Sequence, residues 1–197
     1  MITEAVVISL IVGFIRGGKI SNIANLPLRK AWLIAIPGCV LVVFYVAKVL
    51  GSSFAGQAAH YLHQVVYIFV LSALCFNFRI PGVIPLFIGS LTNAITAFAN
   101  GGDMPVSLAA VNAAGMTEHA QLLKNGDLVR HVLMTEKTRL NFLADIIPTP
   151  RPPFPFPGVH SIGDLLVAAG LFIIIQYSMC PGKRRGVGNT IAGQNKT

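Results

Sequence analysis

The titratable side chains of this 197-residue chain are few enough to weigh one at a time. His60 and His63 are three residues apart, so on a helix they share a face, as two imidazoles must to hold one metal ion. Asp103, Glu118, Asp145 and Asp164 fall on the same side of the topology derived below, so a metal site on His60 and His63 is one expectation. His-x-x-His is a common pair, however, and interfacial histidines often bond only backbone or lipid headgroups. Haem between helices requires a facing histidine inside a bundle, and His119, His131 and His160 do not supply one. No cofactor is therefore expected. Asp164 follows Ser161-Ile162-Gly163, which lets Ser161 cap a helix while Asp164 occupies its third position. The alternative for Asp164 is a pocket shared with Asn93 or Arg139. Residues expected to touch a ligand are Asn93, Asn100, Asp103, Ser107, Asp145, Ser161 and Asp164. There is no Walker loop, no Gly-x-Ser-x-Gly and no His-Glu-x-x-His, so no catalytic residue is nominated.

The elements that must position these residues are apolar. Hydrophobic residues make up 54% of the chain and charged ones 11%, against about 25% charged in an ordinary soluble domain. Apolar runs occupy 2–18, 31–50, 58–76, 80–99 and 162–179. A bilayer core of ~30 Å needs about 20 apolar helical residues, so these runs predict an all-α integral membrane protein with a bundle of about five transmembrane helices. The first four runs fill residues 1–99, an extracytoplasmic segment covers 100–161, the fifth helix is 162–179, and a basic tail covers 180–197.

The net charge of +8 does not form a basic face interleaved with aromatics, so nucleic acid is not expected as a partner. Arg16, Lys19, Arg29, Lys30, Arg79, Lys183, Arg184, Arg185 and Lys196 all fall at the end of, between or after the apolar runs, on one side of an alternating topology. Every acidic residue falls on the other side. This asymmetry predicts a chain with its N-terminus outside and its C-terminus in the cytoplasm, Lys48 reaching outward from the second run. Cys39, Cys75 and Cys180 then lie toward the reducing side as small apolar filler. Pro37-Gly38 predicts a kink, and Gly13 with Gly17 predicts a close helix approach. Asn93, in the most polar run, must find a partner inside the bundle. No acid or base sits in the middle third of any run, which argues against proton-coupled transport.

Within 100–161, Asn100-Gly101-Gly102 ends a helix, and Ser107 caps a short one over 108–114. Gly115 stops it, Thr117 is expected to cap a second helix over 118–124, and Asn125-Gly126 marks a turn. Apolar spacing over 127–143 predicts a third helix, lying on the membrane or capping the bundle. Six prolines between 148 and 157 exclude helix and central strand, and predict a stiff strap whose Phe154 and Phe156 can dip into the interface.

Several stretches resemble a family of bacterial multi-pass membrane proteins classed as a domain of unknown function. They are Arg16-Gly17-Gly18-Lys19 with Leu28-Arg29, Asn100 through Ser107 (Asn-Gly-Gly-Asp-Met-Pro-Val-Ser), Leu143 through Pro148, and Ser161-Ile162-Gly163-Asp164. Ala144 departs from the glycine expected before the aspartate. The resemblance implies a bacterial cell membrane and no particular activity. The leading expectation is a non-enzymatic subunit or binding module that engages a membrane protein partner, a lipid of the bilayer or a small ligand on its outer face. The alternative is a membrane enzyme or carrier using outer Asp and His residues on a lipid-linked or small apolar substrate.

Overall fold

The structure, a computed structural model, describes residues 1–50, 53–128, 130–152 and 155–180, and within these not the side chains of 48, 53–61 and 63. Its helical layer comprises α1 (Ile2–Ile15), α2 (Trp32–Val49), α3 (Ser53–Cys75), α4 (Val83–Ala99) and α7 (Ile162–Met179). A cap is inserted between α4 and α7. It contains β1 (Met104–Val106), α5 (Leu108–Ala113), α6 (Thr117–Asn125), β2 (His131–Leu133), β3 (Ile147–Thr149) and β4 (Gly158–His160).

The expected bundle of five membrane-crossing helices is overturned. Among the described residues, α7 alone is long and apolar enough to cross a membrane. The apolar runs do become helices, and α1, α2 and α4 are shorter than their runs. Ile80, Pro81 and Gly82 lie outside α4, and Gly82 stands at φ +94° as its N-cap. The 14 residues of α1 reach about 21 Å and the 17 of α4 about 26 Å, short of a ~30 Å core. The chain is not all-α either. β1 pairs with β2 in parallel and β3 with β4 antiparallel, as two separate two-stranded sheets.

α7 is the hub of the helical layer, lying between α4 and α1. Against α4 it runs antiparallel through glycines. A Cβ on Gly163 would fall on the Asn93 side chain, one on Gly89 would meet the Gly163 carbonyl, and one on Gly82 the Gly170 carbonyl. Bare Cα atoms let the two backbones approach to a distance no larger residue permits. Against α1 the run is parallel, and buried polar groups hold it. Ser9 Oγ donates to the Phe172 carbonyl at 3.0 Å, Gln176 Nε2 donates to Ser9 Oγ at 3.0 Å, and Arg16 donates to Gln176 Oε1 at 2.8 Å. In the expected glycine pair, Gly13 does pack closely, on Met179, whereas Gly17 faces open space.

The cap departs from its expected helices where tertiary pairing wins. Residues 127–143 form no long helix. Arg130 and Leu140 adopt left-handed backbone angles that break the pattern, and His131–Leu133 joins β1 instead. α5 begins as expected, with Ser107 Oγ accepting from the Ala110 N–H. Thr117 is the first residue of α6 rather than its cap; Met116 stands at the cap position without a side-chain bond. In the proline-rich stretch, Pro148 pairs with Val159 in a ribbon only two strands wide, where its missing N–H leaves no ladder broken on the outer edge.

The glycine seam yields a contrast between two substitutions. Gly163→Ala should destabilise the chain by roughly 3 kcal/mol, since α4 and α7 must separate to admit the methyl. Gly38→Ala, with nothing within 4 Å of the added carbon, should be neutral or stabilising by up to ~1 kcal/mol. Thermal melts of the purified variants check both.

A candidate ligand pocket where the cap meets the helices

The site is built from two ends of the chain's long insertion. At its close, Ser161 begins α7 with a capping box: Ser161 Oγ accepts from the Asp164 N–H at 2.9 Å, and the Ser161 N–H donates to Asp164 Oδ2 at 3.3 Å. Across the seam, Asn93 Nδ2 donates to Asp164 Oδ1 at 2.8 Å, and Ser161 Oγ donates to Asn93 Oδ1 at 2.9 Å. Asp164 therefore caps α7, as expected, and also accepts from Asn93 across the seam.

At the start of the insertion, Gly101 and Gly102 take positive φ and turn the chain from α4 into β1. β1 then fixes Asp145 by its backbone on both sides, since the Asp145 N–H donates to the Pro105 carbonyl and the Ser107 N–H donates to the Asp145 carbonyl, each at 3.0 Å. The Asp145 side chain is thus carried inward, with 6% of the residue exposed. Asp145 and Asp164 both line a cavity of about 270 Å³, together with Asn93, Tyr67, Arg130 and His131. A smaller, more apolar cavity of about 170 Å³ lies against the same His131 and Asp145, under Val111, Leu123 and Val159.

Burial, with a smaller push from the nearby Asp164 carboxylate, raises the Asp145 carboxyl to about 8. His131 Nε2 stands 3.9 Å from Asp145 Oδ2, too far for a hydrogen bond that would offset this. At neutral pH the pocket accordingly offers one protonated carboxyl, able to donate, beside a hydrogen-bonded acidic partner. His160 Nδ1 lies 3.8 Å from Asp164 Oδ2 on the far side of that partner.

Of the ligand residues expected from sequence, Asn93, Asp145 and Asp164 converge on this cavity, and Ser161 stands one hydrogen bond behind it. The others do not line it. Asn100 holds the Arg139 backbone, accepting from its N–H at 2.8 Å and donating to its carbonyl at 2.9 Å. Asp103 and Asn100 line a separate open groove with Lys124, Lys137 and Arg139, and Ser107 is a helix cap. The expected metal pair, His60 and His63, lies outside the described side chains. Among the described residues no group of three or more His, Cys, Asp and Glu is placed to hold a metal ion. Sequence reasoning missed Tyr67, Arg130, His131 and His160 as neighbours of the acids. Only the four-residue step from His160 to Asp164 was there to be read.

The raised carboxyl sets a pH dependence. Asp145 binds its proton more tightly folded than unfolded, where its value is 3.8. Its contribution to stability is full below that value and falls as pH rises toward about 8. Tyr67, Arg130, His131 and Asp164 face the same cavity. Asp145→Asn should therefore flatten the decline in melting temperature across this window and be more stable than the native chain at pH 8, read by thermal melts at several pH values.

An uncharacterised protein of Thermotoga maritima is 29% identical to this chain over 174 residues, covering 88% of this chain and 89% of that protein. No solved structure matches. A family described as being of unknown function, DUF5317, matches residues 25–176, and the chain belongs to it.

Proposed function

We propose that this chain is a membrane-associated binding module whose cap holds a small polar ligand between Asp145 and Asp164. The observation that carries the reading is the pair of acidic side chains, one from the cap and one from the first turn of α7, that line one cavity. Burying a carboxyl costs stability, and such costs concentrate at functional sites. The cavity lies just below the usual ~300–1,000 Å³ of small-molecule sites, so the ligand is small. Asp145 and Asp164 suit a donor-bearing or cationic group, and Arg130 suits an acceptor at the other wall.

Membrane association is supported by α7 as a candidate span and by apolar side chains left uncovered on α1, α2 and α7, among them Ile8, Phe14, Val42, Val46 and Ile173. Lipid is the natural cover for these faces. The charge pattern favours the bacterial cell membrane with the cap outside and the basic tail in the cytoplasm. On that orientation the cap presents its ligand, or a membrane protein partner's docking face, to the exterior. A second reading, a membrane enzyme, is favoured by one observation, the near-neutral carboxyl of Asp145, which suits a general acid.

Native mass spectrometry of the chain, released from its own membrane in mild detergent, tests the binding reading. A stoichiometric small-molecule adduct that Asp145→Asn and Asp164→Asn each abolish is the expected result. A bare chain overturns it, and turnover of a substrate by the purified chain would install the enzyme reading instead. Resistance to alkaline carbonate extraction is expected of the membrane reading; recovery in the supernatant would end it.

A further inference from the structure

A second pocket opens at the opposite end of the helical layer, and the reading of the cap makes no use of it. Its volume is about 640 Å³ and it lies where the turn between α3 and α4 meets the end of α7. Asn77, 4% exposed, builds it. The Arg29 N–H donates to Asn77 Oδ1 at 2.8 Å, Asn77 Nδ2 donates to the Arg29 carbonyl at 2.9 Å, and the same nitrogen donates to the Ala73 carbonyl at 2.7 Å. This clamp fixes the backbone of Arg29 and leaves its exposed side chain to line the pocket beside that of Arg79. The walls are apolar and partly uncovered, with Phe76 at 46% and Phe78 at 42% exposed. Lys30 adds a third cation, its Nζ 4.0 Å from the Phe76 ring centre. Among the described residues no acidic side chain lines the pocket.

We infer that this pocket binds the phosphodiester headgroup of an anionic phospholipid, its guanidinium groups on the phosphate and its phenylalanines against the upper acyl chains. Two planar guanidinium forks match phosphate oxygens in pairs. Uncovered aromatic rings beside them suit a ligand that is anionic at one end and apolar at the other, which a soluble phosphate is not. Basic pockets between helices at the cytoplasmic surface are a common site for such headgroups. The inference rests on the membrane reading above.

The test is native mass spectrometry of the full chain reconstituted with equal phosphatidylglycerol and phosphatidylcholine. One phosphatidylglycerol should remain bound, preferred about tenfold over phosphatidylcholine. Arg29→Gln with Arg79→Gln should abolish the preference, because the Asn77 clamp uses only the Arg29 backbone and survives the change. Lys124→Gln, at the other end of the molecule, should retain it. Equal retention of both lipids, or a preference that persists in the double variant, overturns the inference. Displacement of the lipid by inorganic phosphate at equal concentration also overturns it, in favour of a soluble anion. Failure of the membrane reading would show separately, as release by carbonate, whatever the lipid preference.

Discussion

The contact on which the rest of the molecule depends is the junction of Asn93 with Ser161 and Asp164. Four hydrogen bonds close it. They start α7, join it to α4 seventy residues upstream in sequence, and fix the height at which the cap leaves the helical layer. The junction exists only because Gly163 and Gly89 bring the two backbones together. A polar bond of this kind is worth most where water is excluded, and Asn93 and Ser161 are both buried. The same geometry that secures the helices leaves Asp164 at the rim of a cavity, so the pocket inherits its position from the packing.

Helix packing and site chemistry are joined at Asp145 in the opposite sense. Nothing near it in the helices requires a carboxyl, and its burial works against stability at neutral pH. Its place is set by backbone pairing to β1, which would serve an apolar side chain equally well. The binding reading proposed above accounts for an acid held where an apolar residue would be cheaper and aimed at a cavity with a second acid.

Much of the junction was legible in the sequence. Ser161-x-x-Asp164 is a local signal, since a capping box depends only on residues three apart. Asn93, polar in an apolar run, announced that it needed a partner, and the partner is Asp164. The Asn100-Gly101-Gly102 stop and the Ser107 cap are local too, and both stand. What could not be read depends on contacts between distant segments. The parallel pairing of Met104–Val106 with His131–Leu133 overrode a helical apolar spacing and carried Asp145 inward. The spans were misread for a related reason. Hydropathy counts Ile80-Pro81-Gly82 with the apolar run, but a proline and a left-handed glycine put the turn there and shorten the helix.

Asparagine has a second use that ties the two ends of the molecule together. Asn77 and Asn100 each follow a helix of the layer, each bonds back to a carbonyl of its own helix, and each also grips the N–H and carbonyl of an arginine from another segment. A side-chain amide presents a donor and an acceptor side by side in one plane, so it can replace a strand neighbour for one isolated residue. The arginine is fixed by its backbone while its guanidinium lines an open pocket. Holding the same arginines by a carboxylate would have neutralised their charge. With an amide, each arginine is anchored by its backbone and keeps its charge.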